Sequence, residues 1–593
     1  MVGWKLAYVC IVLAVCSFGI YRLVNAWPDS PMLSQLWFIQ DLDALLSGRY
    51  GAVKLVDFGG THALTGYRWY QYINAKAFGL NGSSEVVAYY LIIAGVALPV
   101  GLRILGRISA GSSVVAKLLV FVIPFILGSF VGAGSRGMEL GTYFGVAVFV
   151  WLLLLCGSSI PYRVFLAVAV TGSVLVVFLF LGGYAIGPTV ALATVWLIQK
   201  RRPMVDASSA RRFAALTFAF VAATAIYGTI MLLVTGLGDA VTAGGQSGGT
   251  QRLSEQISAS PLFPAEFLLS GEAGGITSVQ TFELYENLRV VGRLLIGAAI
   301  LGLCLLCATG SLRRARGQSV EPLALVLFPF GIIALLLLTR NSTVDFAQSS
   351  WYTLHFKLQL VGCVWMGVNY LSNPSTSKAE TASDWYRVWH KVGLVTASFL
   401  GIMLAVSLVW ANRLQIDRQP AEHAYFNEII AATRSPLPMT TDAGGLTKIL
   451  LSPDESEAAR VILRRHRLSI FSPEQASTTN GSEAPWISEG ELFDDGWAGS
   501  SFSVQVLTAS CPVLRLTFDP GQSWGANRVV VDGPWPRPKS LTLNRRSRIV
   551  TVPASVGTRV SARFDRTWVP AQIGQSKDER TLSALVKVSC ASS

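Results

Sequence analysis

The chain has 593 residues, of which 52% are hydrophobic and 14% are charged, and its mean hydropathy is +0.48. These values exclude an ordinary soluble protein, because soluble domains carry about 25% charged residues. The formal net charge of +13 does not indicate nucleic-acid binding, since Lys and Arg are spread over the loops between apolar stretches.

Apolar stretches dominate the first 411 residues. A helix needs about 20 apolar residues to cross about 30 Å of hydrocarbon, and about eleven stretches approach this length. They lie near 6–25, 86–106, 113–133, 141–157, 164–181, 183–199, 213–235, 290–309, 323–339, 353–372 and 392–411. One long kinked segment is the alternative to a division into two spans at Gly182–Gly183. The predicted fold class is an α-helical polytopic membrane bundle.

The distribution of basic residues predicts the orientation of this bundle. Alternate connections are rich in Lys and Arg, and such connections face the cytoplasm. They contain Arg103, Arg107, Lys200, Arg201, Arg202, Arg211, Arg212, Arg313, Arg314, Arg316, Lys378, Arg387 and Lys391. The short connections on the other side hold mainly Arg136 and Arg340. The N-terminus is therefore predicted in the cytoplasm, with the first stretch as a retained anchor, and the C-terminal region outside.

Two connections on the outside are long, near 28–85 and 236–289. The first contains a segment with apolar residues on one helical face, predicted to lie along the membrane surface with Asp41 and Asp43 beside that face. Asp57, His62 and Arg68 follow in the same connection. The second contains a Gly-rich run at 244–249, which indicates either a lid over a site or a mobile connection.

Other candidate residues lie at the outer ends of later spans. Arg136 and Glu139 share a short turn, where a simple ion pair is the alternative to a functional role. His355 and Lys357 begin the tenth span, where long basic side chains also act as interfacial anchors. The spacing Cys304-x-x-Cys307 favours packing in lipid over a redox or metal role.

Residues 412–480 are predicted to be a helical connecting segment, and residues 481–593 a mainly β domain. Short alternating runs between 503 and 564, separated by turn signals such as Asp519–Gly521, predict an antiparallel sandwich. Cys511 and Cys590 each end a strand-like run. In an oxidising compartment the two are predicted to form a disulfide.

A first outside loop with interfacial helices and acidic residues, on a many-span bundle with an outside tail, resembles the GT-C membrane glycosyltransferases. The closer resemblance is to bacterial proteins that modify surface polysaccharides of the O-antigen or capsule type. Those proteins carry an acid pair near the start of this loop and an Asn-Glu-His-Arg-Ile-like motif followed by Pro-Arg. Here His62 and Arg68 match, whereas Thr61 and Ala63 replace the Glu and the Arg. The acid pair is expected at 34–35, where Ser-Gln stands, unless it has shifted to Asp41 and Asp43.

The resemblance implies an inverting transfer of a sugar from a polyprenyl-phosphate donor to a glycan or lipid, at the bacterial cytoplasmic membrane. Such a transfer needs a carboxylate as base and cationic groups for the departing phosphate. The candidate bases are Asp41, Asp43 and Asp57. The candidate phosphate-binding residues are His62, Arg68, Arg136, His355 and Lys357.

Two other classes remain as alternatives: a polymerase or ligase of envelope glycans, and a non-catalytic flippase or transporter. The expected partners are the lipid donor, the acceptor and membrane lipids, with no nucleic acid. No sequence motif identifies a cofactor, and a divalent metal stays an open alternative.

Overall fold

The computed structural model describes residues 2–26, 39–48, 65–108, 112–128, 136–242, 249–277, 286–313, 320–339, 344, 352–372, 395–410, 413, 416, 430, 453–471, 486–492, 497–506, 511–519, 527–543, 548–567 and 582–591. The chain forms two compact units, Met1–Phe426 and Asn427–Ser593. The first is helical and the second is mainly β, so the predicted fold class is confirmed.

Helices make up the first unit. They are α1 (Val2–Ala26), α2 (Ile39–Leu46), α3 (Thr65–Phe78), α4 (Gly82–Arg107), α5 (Val114–Val120), α6 (Ile123–Gly128), α7 (Arg136–Leu155), α8 (Tyr162–Leu175), α9 (Ile186–Arg201), α10 (Ala207–Thr242), α11 (Gly249–Ala259), α12 (Phe263–Ala273), α13 (Glu286–Arg313), α14 (Glu321–Thr339), α15 (Thr353–Ser372) and α16 (Val395–Trp410). A π-helical turn (Val176–Leu181) and a 3-10 turn (Gly182–Ala185) connect α8 to α9.

Several of these helices are long and apolar enough to cross a membrane. Among the described residues, six helical segments meet that condition: Val2–Arg22, Gly82–Arg107, Tyr162–Arg201, Ala207–Leu233, Val290–Gly310 and Glu321–Thr339. Three shorter apolar helical segments, Val114–Gly128, Leu140–Leu155 and Val395–Trp410, coincide with other predicted spans. Exposed Leu, Val and Phe side chains line their outer faces, as expected for surfaces that face lipid.

The 40-residue segment Tyr162–Arg201 is two spans and not one. Arg212, near the start of α10, donates hydrogen bonds to the carbonyls of Ser158 and Ile160, which precede α8. Only residues 202–206 separate the end of α9 from the start of α10. The start of α8 and the end of α9 therefore lie at the same end of the bundle, and the chain reverses near Gly182, whose φ is +55°.

The predicted cytoplasmic connections meet at that same end. Arg103 and Arg107, at the end of α4, pair with Glu321 at the start of α14, with N–O distances of 3.8 and 3.1 Å. Arg103 also donates to the carbonyl of Gly157, which follows α7. Four connections that the sequence placed on one side of the membrane are thus together in space. We call the opposite end, which carries α3 and the Gly182 turn, the outer end.

The second unit contains α17 (Pro453–Arg465) and strands β1 (Trp486–Leu492), β2 (Trp497–Val506), β3 (Val513–Asp519), β4 (Asn527–Asp532), β5 (Lys539–Leu543), β6 (Arg548–Pro553), β7 (Arg559–Phe564) and β8 (Ala584–Ala591). The sheet order is β5-β4-β7-β2-β8-β3-β6, with β1 paired to β2, and the pairings are antiparallel. Alternate residues along the strands, such as Val504 of β2 and Leu516 of β3, are fully buried in one core.

The predicted disulfide is present. Cys511 bonds to Cys590 and joins the start of β3 to the end of β8 across a separation of 79 residues. Leu514 of β3 lies opposite Cys590 in the register of the sheet, so the two cysteines are brought together by strand pairing.

The absolute orientation of the bundle gives a first testable prediction. A reporter that is active only outside the cytoplasm should be active when fused after Ser593 and inactive when fused after Arg316. The reason is that Lys and Arg side chains resist transfer across the membrane during insertion. The reverse pattern would place the outer end in the cytoplasm and would contradict the proposed location of the chemistry.

Candidate functional site

Asp41 and Arg68 form an ion pair at the outer end. Asp41 lies in the first turn of α2 and Arg68 in the first turn of α3, and Arg68 Nη2 is 2.8 Å from Asp41 Oδ2. The Arg68 side chain is 12% exposed and the Asp41 carboxylate 42% exposed. A buried guanidinium thus holds one oxygen of a carboxylate that solvent and ligands can reach. Two residues that the sequence nominated separately are brought together.

The position of Arg68 is fixed because α3 is locked onto the start of α4. Asn74 of α3 accepts a hydrogen bond from the backbone N–H of Asn81 (3.1 Å) and donates one to its carbonyl oxygen (3.2 Å). The Asn81 side chain in turn caps α4 through the N–H of Ser83 (2.8 Å). At the other end of α3, Gly66 packs against Phe180, where a Cβ would collide with the ring. These contacts make α3 a rigid support.

A buried carboxylate that sequence reasoning missed lies beside this support. Glu85 is 5% exposed in the first turn of α4 and interacts electrostatically with Tyr67 and Tyr70. Burial raises the pKa of both phenols, and the charge of Glu85 raises it further. Tyr67 and Tyr70 therefore remain protonated hydrogen-bond donors at physiological pH. No sequence motif singles out Glu85, which ends the predicted outside connection at 28–85.

Asp43 differs from the expectation for a surface helix. Its side chain is 5% exposed, and its Oδ1 accepts a hydrogen bond of 3.4 Å from Ser47 Oγ. The physical reason is that α2 buries Leu42 of the predicted apolar stripe together with Ile39 and Ala44, which lie outside that stripe. Asp41 and Asp43 therefore stand in different surroundings, one accessible and the other enclosed.

His355 lies inside a cage of aromatic rings. Its ring stacks on Phe328 at 5.5 Å, and Tyr143, Tyr184 and Tyr352 surround it with ring centroids at 6.3, 6.3 and 6.4 Å. Its Nδ1 is 3.3 Å from the Tyr352 carbonyl, and its Nε2 is buried with no hydrogen-bond partner in the described residues. The cage joins α7, α14, α15 and the Gly182 turn.

Lys357 is likewise buried inside the protein, with 2% exposure. Its Nζ is 3.5 Å from the carbonyl oxygen of Leu127 in the last turn of α6. A cation at the carboxyl end of a helix is stabilised by the helix dipole. The structure therefore places the Lys357 amino group within the outer half of the bundle.

Helix α7 contacts both the helix that carries Arg68 and the aromatic cage around His355. Gly141 packs against the backbone of Tyr67 in α3, and a Cβ there would be 3.2 Å from the Tyr67 nitrogen. Tyr143, two residues further along α7, contacts His355. Two residues correspond to about 3 Å along a helix axis. The Asp41–Arg68 support and the His355 cage thus rest on the same turn of α7.

The remaining candidates are not described. Asp57 and His62 lie outside the described residues, and Arg136 is described only as the first residue of α7, without its side chain. Within the described ranges, no group of three or more His, Cys, Asp or Glu residues is arranged to hold a metal ion.

A second buried acid, Glu272 of α12, also escaped the sequence reasoning. It is 0% exposed, as is Gln359 of α15, and neither side chain has a hydrogen-bond partner in the part of the chain that is described. No motif singles out Glu272, because it lies in a long loop whose burial depends on helices distant in sequence.

Comparisons with known proteins find one structural similarity to report. No protein-family model matches this chain, and no curated protein matches it. The crystal structure of ArnT from Cupriavidus metallidurans bound to undecaprenyl phosphate is similar over 82% of this chain and 92% of its own, at 12% sequence identity and a TM-score of 0.38. At this level the similarity does not assign an activity, so the function is argued from the residues.

Proposed function

We propose that this protein is a membrane glycosyltransferase that moves a sugar from a polyprenyl-phosphate donor to an envelope glycan or lipid at the outer end of its bundle. The observation that carries the proposal is the 2.8 Å pair of Arg68 and the accessible carboxylate of Asp41. It stands on two short helices, α2 and α3, beside helices of membrane-spanning length. The proposal puts this pair at the depth where a lipid-linked phosphate is anchored.

The chemistry assigns Asp41 as the base. Its carboxylate takes the proton from the acceptor hydroxyl while the hydroxyl oxygen attacks the anomeric carbon of the donor sugar. The bond from that carbon to the phosphate oxygen breaks, and its electron pair leaves with the polyprenyl phosphate. Arg68 binds one carboxylate oxygen of Asp41. The position of the other oxygen is therefore set before the acceptor binds.

The departing phosphate gains negative charge, which positive groups in a site of low dielectric stabilise strongly. Lys357 supports this role because its amino group lies in the outer half of the bundle and would become the counter-charge of a bound phosphate. His62 and Arg136, predicted from the sequence for the same role, remain part of the proposal. His355 is enclosed by rings, so we assign it the positioning of α15 and not direct contact with phosphate.

The test compares envelope glycans of cells that contain the protein, cells that lack it, and cells that contain only the Asp41→Asn variant. We expect one sugar substituent to be absent from the second and third samples. Purified protein in lipid should then release polyprenyl phosphate from the donor that carries this sugar. Identical glycans in all three samples would contradict the proposal.

A further inference from the structure

Glu272, in the last turn of α12, carries a buried carboxyl group. Its side chain is 0% exposed, and neither oxygen has a hydrogen-bond partner among the described residues. Gln359 of α15 lies beside it, also 0% exposed, without reaching hydrogen-bonding geometry, and the buried Ser270 hydroxyl has no partner either. Buried polar groups without partners are rare in folded proteins, because each costs about 1–3 kcal/mol. This cluster requires a physical explanation.

The cluster lies among helices of membrane-spanning length. The carbonyl of Leu269 packs against Gly297 of α13, where a Cβ would collide with it. After α12, the carbonyl of Ile276 accepts a hydrogen bond of 2.7 Å from Ser407 of α16. Helix α12 does not span the membrane itself, but its end is held between α13, α15 and α16.

The packing around Glu272 is tight because glycines bring the backbone against its neighbours. A Cβ on Gly271 would be 3.2 Å from Ile333 of α14, and a Cβ on Gly274 would be 3.1 Å from the ring of Phe356. A Cβ on the next residue, Gly275, would be 3.3 Å from the Phe356 carbonyl oxygen. Water or a hydrated ion can therefore reach the carboxyl only if the end of α12 moves.

The electrostatic surroundings favour the neutral acid. Burial raises the pKa of the Glu272 carboxyl to about 8, and the Gln359 amide opposes this by a smaller amount. The titratable group that faces it from α13 is the Cys304 thiol, which lies 3.5 Å from the Cys363 thiol of α15. No cation in the described part of the chain contributes to the shift, and the carboxyl end of α12 carries the negative pole of the helix dipole.

We propose that Glu272 is a proton-binding site within the membrane bundle, occupied at neutral pH, and that loss of this proton displaces the end of α12 from α15. A neutral carboxyl fits the dry, closely packed surroundings, whereas a carboxylate needs water or a counter-ion. The site is separate from the Asp41–Arg68 pair and does not depend on the proposed transfer. It supplies the buried ionisable group that proton-coupled movement in membrane proteins requires.

Infrared spectroscopy of the full chain in lipid bilayers tests the proton. The carbonyl band of a protonated carboxyl should be present at neutral pH and should disappear as the pH rises through about 8, because an ordinary exposed Glu is already ionised far below that pH. Glu272→Gln should remove the band, and Glu266→Gln, a half-exposed acid on the same helix, should not. A spectrum at neutral pH that Glu272→Gln leaves unchanged would overturn the assignment. So would loss of the band when sodium replaces choline, which would identify a metal-cation site.

Alkylation of native thiols tests the displacement. Cys304 is 2% exposed and close enough to Glu272 to interact with it electrostatically. Cys10 of α1 is exposed and reports how maleimide reactivity itself changes with pH. Above the pH at which the infrared band disappears, modification of Cys304 relative to Cys10 should rise several-fold in the wild type. It should stay constant in Glu272→Gln, whose side chain cannot ionise. Equal modification in both proteins would refute the movement of α12.

Discussion

Asp41→Asn should reduce the rate of sugar transfer by about 10²- to 10⁴-fold, the usual effect of losing a general base. This corresponds to about 3–5 kcal/mol of activation free energy. The amide keeps the shape of the carboxylate and still accepts a hydrogen bond from Arg68, but it cannot take a proton. The measurement is the single-turnover rate of transfer by the purified protein in lipid, with donor binding determined separately to show that the site is intact.

The matched control is Asp43→Asn, two residues away on the same helix. Asp43 is buried and accepts a hydrogen bond from Ser47, which Asn can also accept, so its transfer rate should stay within a few-fold of the wild type. Full activity of Asp41→Asn would show that the base lies elsewhere, with Asp57 and Glu139 as the next carboxylates to replace. An equal loss in both variants would indicate a structural role for α2.

The second large effect is on the stability of the β domain. Replacing both Cys511 and Cys590 by Ala removes a crosslink across 79 residues. On the chain-entropy model a loop of this size contributes about 4 kcal/mol to the free energy of unfolding. Denaturant titration of residues 480–593 expressed alone should show this difference, because the domain has its own apolar core.

Reductant provides the internal control for this experiment. It should lower the stability of the wild-type domain to that of the double variant and should leave the variant unchanged. Free thiols at both positions in the non-reduced domain, detected by mass mapping, would contradict the predicted bond in the mature protein. The same fragment should have no transferase activity, because the candidate base and phosphate-binding residues lie in the first unit.

The local elements follow closely from the sequence. The alternating runs predicted between 503 and 564 include β3, β4, β6 and β7, because alternation of apolar and polar residues is a property of the strand itself. The reversal at Gly182–Gly183 was also predicted, since two glycines interrupt a stretch too long for one span. The disulfide followed from two cysteines at strand ends.

The assembly of the site was only partly predictable. The sequence nominated Asp41 and Arg68 because both lie in a loop at the membrane surface, but it did not show that they pair across 26 intervening residues. It also nominated Lys357 and His355 near the outer end of a span, with anchoring as the alternative, but it did not show that both side chains are buried within the protein. The contacts with Leu127 and Phe328 come from helices far away in the chain.

The sequence by itself determined the apolar helices, the β domain, the disulfide and the polar character of the connection at 28–85, because each depends on hydropathy and spacing along a short segment. The tertiary structure alone decided which carboxyl groups are accessible and which are enclosed: the Asp41 side chain is partly exposed, whereas Asp43, Glu85 and Glu272 are buried. The physical reason is that the burial of an acid depends on the helices packed over it, and those contacts join residues too distant in sequence for any local pattern to record.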